Sequence, residues 1–212
     1  MSETIQTVVL ATSNAGKIRE LAGPMEALGV RLLGLADFPD LPPVEENGAT
    51  FAQNALIKAR QVALLTKLIA VADDSGLEVD ALNGRPGVHS ARYADDWELL
   101  PGESRDQRNM RKLLFEMEGL PESKRACRFV TCMAAVRPDG RELTIEGHWE
   151  GRLLTAPLGS NGFGYDPIFF DPEIGTSAAM LSSEQKTSRS HRGKAVRGLL
   201  ARWQHFLSLP PL

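Results

Sequence analysis

Between residues 7 and 74 the apolar side chains change period repeatedly, and few folds accommodate that alternation. Val8 to Leu10 form a short apolar run within a strand predicted over 7–12. Ile18, Leu21, Met25 and Leu28 then recur at helical spacing, with Gly23-Pro24 predicting a kink or break. VRLLGL (30–35) reads as a strand and the proline-rich ADFPDLPPVEENG as a loop. TFAQNALIKARQVALLTK (50–67) reads as a helix, Thr50 and Gln53 being spaced as a capping box. LIAVADD (68–74) is a buried strand that runs into two carboxylates, and GLEVDALNGRPG (76–87) contains another strand and a turn. Further on, 103–118 reads as a helix, 126–136 and 142–149 as strands joined by an RPDG hairpin, and 190–207 as a closing amphipathic helix. Val196, Leu199, Leu200, Trp203 and Phe206 form its apolar face. Helices between early strands, followed by a hairpin, predict a mixed sheet of the α/β class.

At 212 residues and 42% hydrophobic, the chain suits one domain or two closely joined lobes with an adequate core. A net charge of −3 argues against a broad nucleic-acid or anionic-membrane surface. The start, MSETIQTVV, lacks the marks of a signal peptide, and no apolar stretch is long enough for a membrane span, so a cytoplasmic location is expected. Cys127 and Cys132 fall on opposite faces of one strand, which predicts two packed thiols with neither a bridge nor a zinc site.

Five stretches could carry chemistry. Thr12, Ser13, Asn14, Ala15, Gly16 and Lys17 join a strand to a helix without the Walker A spacing. Such a turn can aim backbone N–H groups, a helix N-terminus and one lysine at a phosphate, or it can be an ordinary Asn-capped helix start. In VADDSG, Asp73 and Asp74 sit at a strand end, where ligands bind in open α/β sheets. Adjacent residues point opposite ways, so one of them is expected to face a ligand as metal holder or base; a solvated turn is the alternative. Glu45-Glu46 lie in the proline-rich loop and suit an exposed acidic loop equally well. GSNGFGYDPIFF offers Phe163 or Tyr165 as a flat face for a base and Asp166 as an acceptor. EQKTSRSHRGKA brings Lys186, His191 and Arg192 to a helix start, as a solvated end or as donors to a carbonyl edge.

The order of TSNAGK, EENGATFAQNALIKA, ADDSGL, GRPGVHSARY, GFGYDPIF and SHRGKA along residues 12–195 closely resembles the inosine triphosphate pyrophosphatase family. The resemblance implies an elongated mixed α/β fold of two lobes without a linker, forming a single domain over 1–212 with the nucleotide in a cleft between them. It also implies a homodimer, a Mg²⁺ requirement, and hydrolysis of ITP, dITP and XTP to the monophosphate and pyrophosphate. By position, Thr12 to Lys17 correspond to the triphosphate cradle, Asp74 to the general base and metal ligand, Glu45 to a second acidic metal contact and Ser75 to a substrate contact. Phe163, Gly164, Tyr165 and Asp166 line the base pocket, with Phe163 stacking, and Lys186, His191 and Arg192 complete it. Ser13 and Asn161 stand where many relatives have glycine. A Maf-type pyrophosphatase acting on other nucleotides is opposed by the SHR and FGYDP motifs, and a non-hydrolysing nucleotide sensor by Asp74 and Glu45.

Overall fold

The computed structural model describes residues 6–211. Its strands form one seven-stranded sheet in the order β2-β1-β3-β4-β5-β6-β7. They are β1 (Thr7–Leu10), β2 (Arg31–Gly34), β3 (Ile69–Val79), β4 (Ala126–Val136), β5 (Glu142–Leu153), β6 (Phe169–Asp171) and β7 (Thr176–Ser177). The helices are α1 (Ala15–Glu26), α2 (Phe51–Thr66), α3 (Arg105–Glu116), α4 (Ser183–Arg189) and α5 (His191–Ser208). β1 pairs in parallel with β2 and β3, while β5–β6 and β6–β7 are antiparallel, so the sheet is mixed as expected. Among the described residues no helix is long and apolar enough to cross a membrane.

The chain divides into two compact units. The first comprises residues up to Asp74, Thr131–Gly147 and Arg192 onward. Its core joins Val8, Leu10, Ile69 and Val71 to Leu21 and Met25 of α1 and to Val196, Leu199, Trp203 and Phe206 of α5. Residues 69 and 71 thus face α1 and α5, and the pleat sends their neighbours to the other face. The second unit comprises Ser75–Val130 and His148–His191, with a core built on Leu77, Val79, Leu113, Phe129, Trp149, Ile168 and Phe169.

Four sequence expectations are revised. α1 continues through Pro24 to Glu26, so of the kink or break expected there the break does not occur. Thr50 caps α2 through the Gln53 amide at 3.2 Å, but the Gln53 side chain takes the N–H of Ala49 at 2.7 Å, so the box is not reciprocal. The two strands read on either side of Asp74 are one strand, β3, and Asp73-Asp74 lie in its middle. α4 is an additional short helix, closed at its start by a Ser182–Gln185 capping box. Cys127 and Cys132 are buried free thiols, as expected.

Arg125 fastens part of the second unit. Its buried guanidinium donates to the carbonyls of Leu153, Met117 and Leu154, each at 2.8 Å. Arg125→Met keeps the aliphatic stem but strands three carbonyls, so urea unfolding should show a loss of about 2–4 kcal/mol. A midpoint unchanged from wild type would mean that water replaces the guanidinium without cost.

Candidate functional site

In the first unit, β3 presents its two acids to opposite faces. Asp73 continues the series 69, 71, 73 toward α1 and α5 and is 1% exposed. Its Oδ2 lies 3.2 Å from the ammonium of Lys17 and 3.2 Å from Nε of Arg192. Lys17 also donates to the Asp73 carbonyl at 3.4 Å, and Glu20 of α1 pairs with Nη1 of Arg192. Burial alone would raise the Asp73 pKa, but Lys17, Arg192 and Lys58 outweigh it and hold the carboxyl far below its ordinary range. Burial pushes the Lys17 pKa down, against the pull of Asp73.

Asp74 faces α2. Its Oδ2 accepts from Nδ2 of Asn54 at 3.0 Å, and Oδ1 lies 3.4 Å from the ammonium of Lys58. Asn54 and Lys58 are one helical turn apart on α2, so both reach the same carboxylate. Burial raises the Asp74 pKa, and Lys58, Lys17 and the Asn54 bond do not cancel it. Two adjacent acids on one strand therefore differ in kind: the cations around Asp73 favour its charged form, and burial makes Asp74 harder to ionise.

The acidic loop joins this second group. Lys58 also holds Glu46 at 3.1 Å, and Asn54 Oδ1 accepts from Gly48 N at 2.8 Å. A Cβ at Gly48 would fall 2.7 Å from that oxygen, so only glycine allows the approach. Glu45 and Glu46 are both exposed, and Glu46 is the one that Lys58 links to Asp74. Asn54, Lys58 and Glu20 were given no individual role in the sequence reading, and Glu46 was named only as one of the two acids of the loop. The signal for Asn54 and Lys58 was present in NALIK, two polar residues four apart on an otherwise apolar face.

At the opening turn Asn14 caps α1, its Oδ1 accepting from Gly16 N at 2.9 Å and Lys17 N at 3.2 Å. Thr12 Oγ1 accepts from Asn14 N at 3.2 Å, and Ser13, Asn14 and Ala15 are exposed. The Asn-capped start and the placing of Lys17 beside Asp73 are thus one arrangement.

The second unit gathers the aromatic loop. Asp166 is 2% exposed, and its Oδ2 accepts from Phe163 N at 2.9 Å and from the Lys186 ammonium at 2.6 Å. That ammonium stands 4.7 Å from the centroid of the Phe163 ring, within cation–π range. Gly162 has φ +80°, and a Cβ there would lie 2.0 Å from Asp166 Oδ2, so the turn requires glycine. Tyr165 belongs to the hydrophobic core, its hydroxyl donating to the Ser90 carbonyl at 2.8 Å; Phe163 is the more exposed ring. The buried His191 ring stacks on Phe129 at 4.9 Å, and Ser75 is half-buried on β3. Arg192 belongs with Lys17 and Asp73 in the first unit.

The donor set can be tested against a metal ion. No cluster of three or more His, Cys, Asp or Glu poised for a metal occurs among the described residues. Mg²⁺ needs no such cage, since it binds through one or two carboxylates together with substrate phosphates. Lys17, Lys58 and Arg192 face the four carboxylates Glu20, Glu46, Asp73 and Asp74, which leaves the group formally one negative charge from neutral. Such a group does not attract a polyanion by itself, whereas a divalent cation reverses its sign. The hard oxygen donors and this charge balance fit a divalent cation.

The Ham1 family model matches residues 8–202. A dITP/XTP pyrophosphatase from Nitratidesulfovibrio vulgaris is 57% identical over 203 residues, covering 96% of this chain and 98% of its own. Among solved structures, a HAM1 protein from Coxiella burnetii superposes with a TM-score of 0.84 at 37% identity, covering 95% of this chain and 100% of that one. A nucleoside-triphosphatase / dITP/XTP pyrophosphatase from Mycobacterium abscessus gives 0.74 at 43% identity, with 92% and 99% coverage.

Asp73 makes a prediction of its own. Asp73→Asn leaves Lys17 and Arg192 buried without their shared anion, so stability should fall by about 3–5 kcal/mol. Thermal and urea unfolding of the variant measure this, and an unchanged midpoint would remove Asp73 from its role as counter-ion.

Proposed function

The chain belongs to the Ham1 family, and we propose that Lys17 with the start of α1 takes the triphosphate while the Phe163 loop takes the purine. The enzyme is a nucleoside triphosphate pyrophosphatase that hydrolyses non-canonical purine nucleoside triphosphates. ITP, dITP and XTP are the proposed substrates, cleaved to the monophosphate and pyrophosphate within one catalytic domain over 1–212.

The adjacent acids of β3 carry the catalytic assignment. Asp74, buried and raised in pKa, is the general base that orients water and accepts its proton. Lys58 and Asn54 fix its two oxygens, so the acceptor lone pair is aimed before substrate arrives. Lys17 neutralises phosphate charge, with Asp73 holding its ammonium in place. Thr12 to Gly16 supply neutral hydrogen bonds at the helix N-terminus. Asp74 and Glu45 would hold Mg²⁺, which when bound supplies charge neutralisation across the phosphate oxygens.

For the base, Phe163 offers its ring for stacking while Asp166 and Lys186 hold the loop. Gly164, Tyr165, Ser75 and His191 complete the proposed substrate contacts. Arg192 is assigned to the 6-oxo group of the purine. Its guanidinium always donates and never accepts, and Asp73 and Glu20 orient the fork. A 6-amino purine facing that donor leaves both groups unpaired, a mismatch that discriminates by roughly 10⁴-fold in purpose-built sites. We assign the enzyme to the cytoplasm as a homodimer. The exposed Leu99, Leu100 and Phe115 suit a subunit interface.

Pyrophosphate release from ITP, XTP, ATP, GTP and UTP, with wild type and Asp74→Asn, tests this assignment. ITP and XTP should lead, and the variant should retain its fold while losing nearly all turnover in saturating Mg²⁺. Turnover preserved in the variant would remove Asp74 as base.

Lys17→Ala separates the phosphate role. It should weaken ITP binding by about 10- to 100-fold, the value of one charge-assisted hydrogen bond, and leave inosine binding nearly unchanged. Calorimetry with both ligands measures this; equal weakening would place Lys17 elsewhere than on the phosphates.

A further inference from the structure

Phe163 sits between two glycines with positive φ, +80° at Gly162 and +62° at Gly164, so its own backbone does little to fix its ring. Three hydrogen bonds pin the successive residues. Phe163 N is held by Asp166 at 2.9 Å, and the Tyr165 hydroxyl is held by the Ser90 carbonyl at 2.8 Å. Gly164 N, between them, donates to the carboxylate of Asp106 at 2.7 Å. Asp106 belongs to α3, outside the motifs that carried the family resemblance. Three residues on, the buried Asn109 accepts from Ala94 N at 2.8 Å and donates to the carbonyls of Ser90 at 3.3 Å and Ala91 at 3.2 Å. One face of α3 therefore grips the loop twice, directly at Gly164 and through Ser90 at Tyr165.

We infer that Asp106 is a base-positioning residue, which fixes the Phe163–Gly164 peptide and so keeps the Phe163 ring set for a purine. This rests on the assignment of the Phe163 loop to the base. Asp106 touches no reacting atom, so its removal should cost binding of the base rather than chemistry. A competing explanation exists: as an acid in the first turn of α3, Asp106 also complements the helix dipole. The two roles separate by substitution. Asp106→Asn discards the charge but keeps an oxygen that accepts from Gly164 N, whereas Asp106→Ala discards both.

Steady-state pyrophosphate release from ITP and ATP, together with melting curves, tests the inference on wild type, both Asp106 variants and Phe163→Ala. In Asp106→Ala the KM for ITP should rise by about five- to tenfold, with kcat changed by less than about twofold, and the KM for ATP should rise by a similar factor because both purines stack on the same ring. Asp106→Asn should recover most of that loss. An unchanged KM for ITP in Asp106→Ala would overturn the inference, as would equal loss in both variants, the outcome expected of the helix dipole alone. Phe163→Ala with an unchanged KM for ITP would instead sink the base assignment of the loop, and the inference with it. A raised KM in Phe163→Ala alongside an unaltered Asp106→Ala sinks the inference only.

Discussion

A charged carboxylate with 1% exposure is the constraint around which the first unit is arranged. An ionised acid taken out of water is tolerated only with partners, and Asp73 finds one on each of two helices. Lys17 comes from the first turn of α1 and Arg192 from the first turn of α5. Both helices must therefore start near the middle of β3, and the apolar contacts of Leu21, Met25, Leu199 and Trp203 fill in behind that requirement. Glu20 provides a second anion for Arg192, so the guanidinium is held from two sides. The same anion that secures the fold places a lysine at the start of a helix, where phosphate is favoured.

The pleat of β3 turns that constraint into a division of roles. Asp73 and Asp74 are adjacent and both buried, yet their pKa values move in opposite directions. Asp73 shares its Oδ2 with two cations, and their attraction exceeds the cost of burial. Asp74 has one cation at 3.4 Å and an amide, which is less than its burial demands. A strand is well suited to this separation, because one step along it reverses the face and hence the whole electrostatic environment.

Much of this was legible in the sequence, for identifiable reasons. The period changes placed the helices and the hairpin correctly, because α1, α2 and α5 each bury one stripe. The continuity of β3 was not legible. D-D-S-G has the composition of a turn, and only tertiary partners (Lys17, Arg192, Asn54, Lys58) make it tolerable inside a sheet. α4 escaped notice because seven residues are too few for a periodic signal, although its capping box was there to be read. The motif order identified the family, but the geometry adds what each residue touches. Tyr165 is committed to the core, Asp166 organises its own loop, and Glu46 is the loop acid joined to Lys58. Asp106 carried no signal, since a lone acid at a helix start is ordinarily accounted for by the dipole.

The charge balance of the first unit bears on what it can bind. Its cations are neutralised by its own carboxylates, and Lys17 is further discouraged from charging by burial. A free triphosphate would bring several negative charges to a group already short of positive charge, so attraction by the lysines alone would be weak. Under the proposed assignment, the form that suits these residues is a triphosphate already paired with a divalent cation, for which the Asp74 carboxylate is an attractive partner and not a repulsive one. Keeping the basic residues committed to carboxylates has a further consequence. A site rich in uncommitted lysines would hold any polyanion, whereas here each cation is already paired with an acid of its own.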